Sequence, residues 1–164
     1  MNPLSPDWAN FFVAEVGASA ALTGLLVVAI SINLSRILAI AQLPGRAAEA
    51  LIVLVGALAL TSAGLVPNQP AALFGAEVLA IGVVTLVVPL AIQLRSWSSA
   101  VGVSPARQVV RAIVSAATSL LFIVAGVLLV LGSGNGLYWV AAGVIVALVG
   151  GVWNAWVLLV EILR

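Results

Sequence analysis

The chain has 164 residues, of which 64% are apolar and 7% are charged, whereas charged residues make up about 25% of an ordinary globular protein. This composition excludes a soluble domain and predicts a protein embedded in lipid. With no cysteine and no histidine, the chain cannot form a disulfide, the common zinc and haem sites, or a Ser/His catalytic pair. We therefore expect no enzyme activity, no cofactor and no nucleic-acid partner, and we expect the lipid bilayer as its surroundings.

Long apolar stretches predict an all-α, polytopic fold in a single domain, residues 1–164. A helix needs about 20 residues to cross the hydrocarbon. Residues 112–160 contain no ionisable side chain, and this stretch is too long for one crossing, so we expect it to turn at the glycine-rich segment Gly132–Gly136. The five predicted transmembrane helices cover residues 8–35, 46–66, 71–95, 105–131 and 137–163.

The arginines predict how these spans are oriented. They carry all the positive charge, they flank the first and third breaks and end the chain, and they are absent from the breaks at 67–70 and 132–136. Because cytoplasmic loops collect Arg and Lys, the amino terminus is predicted outside and the carboxyl terminus in the cytoplasm. The six arginines are Arg36, Arg46, Arg95, Arg107, Arg111 and Arg164.

The first helix has two features on nearly opposite faces. One is Glu15, which shares a face with Ser19 and Asn33. The other is a seam of mostly small residues at alternating spacings of three and four, typical of a helix that another helix approaches closely. Lipid should face neither feature, so we expect this helix to be central to the assembly. The seam consists of Ala14, Gly17, Ala21, Gly24, Val28, Ser31 and Ser35.

Two acids are predicted to lie at one depth near the outer surface. Glu15 is a few residues inside the first span and Glu77 about six residues inside the third, which at 1.5 Å per residue places both roughly 6 to 10 Å deep. A charge in lipid costs a few kcal/mol, so both acids should face protein or water. They are candidates for a cation or proton site. In the alternative reading, each acid is protonated or hydrogen-bonded and only ties helices together.

A second polar cluster is predicted toward the cytoplasmic side. Asn33 ends the first span, Gln93 lies near the end of the third, and Asn154 lies two to three turns before the end of the fifth. Each amide can donate and accept a hydrogen bond. Glu49 follows Arg46 by three residues, which we interpret as an ordinary ion pair within one helix.

The fifth helix has a stripe of small and polar residues like the seam of the first. Such stripes favour close helix packing, with Asn154 as an interhelix hydrogen bond. Five short spans enclose little interior, so we expect a homo-oligomer with helix one or helix five at the contact. The stripe consists of Gly143, Ala147, Gly150, Asn154 and Glu161.

The segment Phe11–Leu34, followed by Leu43–Glu49, resembles a group of small, uncharacterised bacterial integral membrane proteins. The resemblance covers most of the chain. It implies a multi-pass protein of the bacterial inner (cytoplasmic) membrane. It gives no indication of an activity.

Three shorter segments, Leu22–Ile30, Leu65–Asn68 and Leu73–Val78, are similar to helices of the Orai calcium-channel family. That family has four spans and a cytoplasmic amino terminus, and its pore acid lies just beyond the segment that matches Leu22–Ile30. This chain has Ser31 and Asn33 there.

Two functional hypotheses follow. The first is a small oligomeric channel or transporter for a cation or proton, with Glu15 and Glu77 as its carboxylate site. The second is a non-catalytic accessory or assembly subunit of a larger membrane complex, because the chain has small-residue stripes, short loops and no extramembrane domain.

Overall fold

The computed structural model describes residues 6–40, 42–97 and 105–163. All regular structure in these residues is α-helical, which confirms the prediction of an all-α chain. The helices are α1 (Pro6–Ile32), α2 (Leu34–Ala39), α3 (Leu43–Ala63), α4 (Ala71–Trp97), α5 (Pro105–Val130) and α6 (Gly136–Leu163).

The predicted first span is divided at Asn33 into a long helix and the short α2. Asn33 has φ −105° and ψ 13°, and its side-chain Nδ2 donates to the carbonyl oxygen of Ala29 at 2.9 Å. Asparagine side chains compete with the backbone for hydrogen bonds and so interrupt helices. The sequence pattern did not indicate this break, because the residues on both sides of it are apolar.

Four helices, α1, α3, α4 and α6, are long and apolar enough to cross a membrane. In α5 the apolar part among the described residues is shorter, Ser115–Val130. The structure therefore supports a membrane protein with four clear candidate spans, and α5 is the helix on which a fifth crossing depends.

Helices α3, α4, α5 and α6 form a four-helix bundle, in which each packs against the next and α6 packs back against α3. One end of the bundle, here called the aromatic end, carries Trp8, Phe74 and Tyr138 near the starts of α1, α4 and α6. The opposite end, here called the arginine end, carries Arg46 and Arg95.

Glycines bring α4 and α5 into backbone contact. A Cβ added at Gly126 would lie 2.6 Å from the backbone nitrogen of Leu79, and one added at Gly75 would lie 2.7 Å from that of Val130. Real Cβ atoms do not approach backbone so closely, so these positions require glycine. The α4–α5 pair is accordingly the most extensive helix contact in the chain.

The turn between α5 and α6 lies at the predicted glycine-rich segment. Gly132 has φ +78°, and the N–H of Ser133 donates to the carbonyl of Leu128 at 2.9 Å. A left-handed glycine with such a bond is a common way to end a helix.

Pro89 lies inside α4 and is buried. Its ring nitrogen has no hydrogen to donate to the carbonyl of Thr85, four residues earlier. The Thr85 hydroxyl donates to the carbonyl of Ile81 at 2.9 Å and lies 3.2 Å from the hydroxyl of Ser119 in α5. Thr85 therefore links α4 to α5 at the point where the helix lacks a backbone hydrogen bond.

Helix α1 lies outside the bundle, against α3 and more loosely against α6. Within one chain α1 is therefore peripheral, and its central place in an assembly stays a prediction. Lipid is as apolar as a helix interior, so small residues do not need a protein neighbour. A Cβ added at Gly17 or Gly24 would meet no atom within 4 Å. All seven seam residues are exposed: Ala14, Gly17, Ala21, Gly24, Val28, Ser31 and Ser35.

The stripe on α6 packs inside the chain. Gly143 is buried against the ring of Phe122 in α5, with an added Cβ only 2.6 Å from that ring, and Ala147 is also buried. Gly150 is only half-buried, and its neighbour Gly151 is the residue that lies against α3. Gly143 and Ala147 of this stripe therefore pack within the bundle, while the seam of α1 faces outward.

Candidate functional site: an unpartnered carboxyl and hydroxyl on α1

Glu15 is held at the aromatic end of α1, on the side that faces the bundle. It lies three residues after Phe12, whose ring is fully buried. Its Oε2 atom is buried and has no hydrogen-bond partner in the described part of the chain. Burying a carboxylate oxygen without a donor costs free energy that a partner would recover. The Oε2 atom of Glu15 is therefore available to bind a proton or a cation.

Ser19, one turn further along α1, has the same property. Ser19 is 0% exposed, and its Oγ atom has no hydrogen-bond partner among the described residues. Its backbone carbonyl, in contrast, accepts a hydrogen bond from the hydroxyl of Thr23 at 2.7 Å. Residues four apart are neighbours on one helix face, so two buried, unpartnered polar groups lie side by side on α1.

Helix α3 supplies the surface opposite this pair. The ring of Phe12 lies against Gly64, 2.9 Å from where a Cβ would be. Because α1 and α3 run antiparallel with equal rise per residue, this contact sets Glu15 level with Thr61 and Ser19 level with Ala57. Thr61 is buried, and its hydroxyl donates to the carbonyl of Ala57 at 2.8 Å. The hydrogen of the Thr61 hydroxyl is thus donated within α3 and does not reach Glu15.

Aromatic rings pack together between Glu15 and the aromatic end of the chain. Trp8 stands edge-to-face on Tyr138 of α6 with ring centroids 5.1 Å apart. Phe12 does the same with Phe74 of α4 at 5.8 Å. These contacts join the starts of three helices one to two turns above Glu15.

Glu77 lies at the depth of Glu15 but in different surroundings. Each acid follows by three residues one member of the Phe12–Phe74 ring pair, and α1 and α4 run parallel, so both lie equally far along the molecule. The Oε2 atom of Glu77 accepts a hydrogen bond from Nε2 of Gln69 at 2.6 Å. The two acids are therefore level with each other relative to the ring pair, but of the two only Glu15 has an oxygen that is both buried and without a hydrogen-bond partner among the described residues.

Of the three amides predicted as an inner cluster, Gln93 is bonded to a residue outside that set. Gln93, which is 7% exposed, donates through Nε2 to Oε2 of Glu49 at 3.2 Å. Asn33 donates to its own helix, and Asn154 is half-buried on α6. Glu49 is 4% exposed and holds α3 to α4.

Sequence reasoning set Glu49 aside as a partner of Arg46. A signal was nevertheless present: Glu49, Val53, Gly56 and Leu60 follow one another at spacings of four, three and four, the stripe of α3 that the structure buries. The position of an acid on the buried stripe of a helix is better evidence for its partner than its spacing from the nearest arginine.

Comparisons with protein-family models, with curated proteins and with solved structures found no match. Any function must therefore be argued from the chain itself.

An apolar groove of about 220 Å³ lies beyond Ser19, toward the arginine end. Leu22 and Leu26 of α1, Leu54 of α3, and Gly151 and Trp156 of α6 are among the residues that line it. Helices α1 and α6 therefore meet at their starts and separate further along. The groove is lined by aliphatic side chains, a glycine, alanines and one tryptophan, and neither Glu15 nor Ser19 lines it.

Proposed function

We propose that the chain is a small oligomeric membrane protein that carries a cation or a proton, with Glu15 as the carboxylate that binds it. The observation that carries the proposal is the buried Oε2 of Glu15, which has no hydrogen-bond partner in the described residues. A cation or proton at this oxygen would offset the cost of burying it.

The magnitudes favour a functional site over a structural one. A charged side chain inside a bilayer costs about 3 kcal/mol or more, and an unsatisfied buried hydroxyl such as that of Ser19 costs about 1 to 3 kcal/mol. Total stabilities of proteins are only about 5 to 15 kcal/mol. Two adjacent buried groups that each cost this much free energy are better explained by a bound species than by packing.

The proposal includes five crossings, with the amino terminus outside and the arginine end in the cytoplasm of a bacterial inner membrane. The arginine pattern supports this orientation. The packing of α5 along α4, from Gly126 on Gly75 to Ser119 on Thr85, supports α5 as the fifth crossing. In this orientation Glu15 and Glu77 lie in the outer half of the membrane.

The test is ion flux in liposomes that contain the purified protein. Glu15→Gln keeps the size of the side chain and removes its charge, and we expect it to reduce flux to the level of protein-free liposomes. The matched control is Glu77→Gln, at the same depth but hydrogen-bonded to Gln69, which we expect to retain most of the flux. Unchanged flux in Glu15→Gln would falsify the assignment of Glu15.

A second candidate function is an accessory or assembly subunit of a larger complex. The observation that favours it is the exposed seam of α1, where Gly17 and Gly24 meet no neighbour in the chain. In this case the purified protein would show no flux of any ion, and it would leave the native membrane with one larger partner in fixed proportion. Recovery of only the chain itself, together with flux, would contradict it.

A further inference from the structure

We propose that the species bound at Glu15 is a proton rather than a metal cation, and that the hydroxyl of Ser19 is its positioning partner. The inference rests on the proposed function and deepens it. Glu15 Oε2 and Ser19 Oγ are both buried and unpartnered among the residues that the structure describes. The choice between proton and metal follows from how many oxygen atoms the site can offer.

A hard metal cation needs many oxygen ligands, about six or more for calcium and magnesium. The described residues contain no group of three or more His, Cys, Asp or Glu side chains that could hold an ion. At this level α1 offers one carboxylate and the hydroxyl of Ser19. The hydroxyl of Thr61 in α3 donates to its own backbone, and its oxygen adds one further possible ligand. The side chains supply too few ligands for a metal ion.

Backbone carbonyls do not make up the difference. Ion sites in membrane transporters often use carbonyls released where a helix is interrupted. Helix α1 runs without a break from Pro6 to Ile32, and α3 from Leu43 to Ala63. The level of Glu15 is therefore inside α1, where each carbonyl accepts a helical hydrogen bond. In α3 it falls in the last turn, where the carbonyls of Leu60, Ser62 and Ala63 accept from the N–H groups of Gly64, Leu65 and Val66, so at most the carbonyl of Thr61 is left for an ion.

A proton needs only one of these oxygens and one neighbour. Transfer from hydronium to the carboxylate forms an O–H bond at Oε2 of Glu15 and leaves neutral water. The protonated carboxyl can then donate a hydrogen bond, and a serine hydroxyl has lone pairs to accept it, directly or through one water. One proton thus gives a partner to both groups that lack one.

The other titratable groups near α1 are few. On α6 the nearest is Tyr138, beside Trp8, and on α4 it is Glu77, whose Oε2 is bonded to Gln69. The charged residues of α2 and α3 lie at the arginine end, and Asp7 lies in the first turn of α1 itself. Labelling of Glu15 can therefore be distinguished from labelling of these groups by identifying the modified residue.

The experiment uses a hydrophobic carbodiimide, which reacts with a carboxyl group that carries its proton. The full-length protein in detergent is labelled across a pH series, and the modified residue is identified by peptide mass spectrometry. We expect label at Glu15 that falls as the pH rises, by about tenfold per pH unit above its midpoint. Sodium, potassium or calcium at constant pH and ionic strength should leave the label unchanged.

Protection of Glu15 by one of these metal ions at constant pH would overturn the inference while leaving cation transport intact. An absence of label at any pH would overturn it as well. Pure proton dependence without flux in liposomes would instead count against the transport function. The variant Ser19→Ala, checked for folding by its far-ultraviolet circular dichroism, should shift the midpoint of labelling, whereas Thr23→Ala should not.

Discussion

Two parts of the molecule use the same residue types in opposite ways. In the α4–α5 pair, glycines face another helix so closely that no side chain fits. In α1, Gly17 and Gly24 face away from the chain and meet nothing. The first arrangement fixes two helices together, whereas the second leaves a helix whose outer surface is available to lipid or to another protein.

Polar groups follow the same division. In the bundle they form bonds between helices, as Gln93 does with Glu49 and Ser119 with Thr85. On α1 the buried oxygen of Glu15 and the hydroxyl of Ser19 have no such partner in the described chain. Polar side chains thus hold bundle helices together, whereas the buried oxygen of Glu15 and the hydroxyl of Ser19 on α1 are left for something else to satisfy.

The largest effect expected from this comparison concerns glycine. Gly126→Ala places a Cβ 2.6 Å from the backbone nitrogen of Leu79, and overpacking of this kind costs about 1 to 3 kcal/mol. We expect about 3 kcal/mol, because the neighbour is backbone and cannot rotate away. The measurement is the free energy of unfolding in mixed micelles of mild detergent and dodecyl sulfate.

The matched control is Gly24→Ala on α1, the same substitution in open surroundings. It should leave the free energy of unfolding within about 0.5 kcal/mol of the parent. Equal losses in the two variants would mean that the two helices are not packed as differently as the comparison requires.

An intermediate effect is expected at the buried acids. Glu49→Leu removes the acceptor for Gln93, and a hydrogen bond to a charged group contributes about 1.5 to 3 kcal/mol. We therefore expect a loss of about 2 kcal/mol in the same unfolding measurement. Glu15→Leu removes an oxygen that has no donor, so it should be neutral or stabilising. If Glu15→Leu were the more destabilising of the two, Glu15 would have a structural partner.

The smallest effect on the single chain is expected for the seam of α1. Gly17→Ile with Gly24→Ile should change the unfolding free energy by less than about 0.5 kcal/mol, because both positions are exposed. If a second copy packs on the seam, the same variant should lower the mass of the complex in mild detergent, measured by light scattering. Ala20→Ile, exposed but outside the seam, is the control. A monomeric parent protein would contradict the homo-oligomer directly.

The helices and the turn at Gly132–Gly136 could be read from the sequence, because apolar length and glycine content are local properties. That Glu15 and Glu77 lie level with each other could also be inferred, since the rise per residue is constant, and their depth in a membrane stays a prediction. Which face of a helix meets protein could not. In lipid an apolar face is stable with or without a neighbour, so the small residues of α1 and of α4 give similar patterns and have opposite surroundings.

Ser19 and Glu49 illustrate the same limit. Ser19 was recognised as sharing a face with Glu15, but its burial depends on α3, whose register no local pattern reveals. The partner of Glu49 is Gln93, 44 residues away in the chain. Contacts of that kind arise from helix packing and are absent from the periodicity of either helix.

The proline in α4 has a mechanical consequence. A helix bends most readily where its hydrogen-bond ladder is interrupted, and Pro89 interrupts it directly after the segment that is packed on α5. The segment beyond it carries Gln93 and Arg95. A bend of α4 at Pro89 would move this segment relative to the part of α4 that is packed on α5. It would therefore change the distance between the amide of Gln93 and the carboxylate of Glu49.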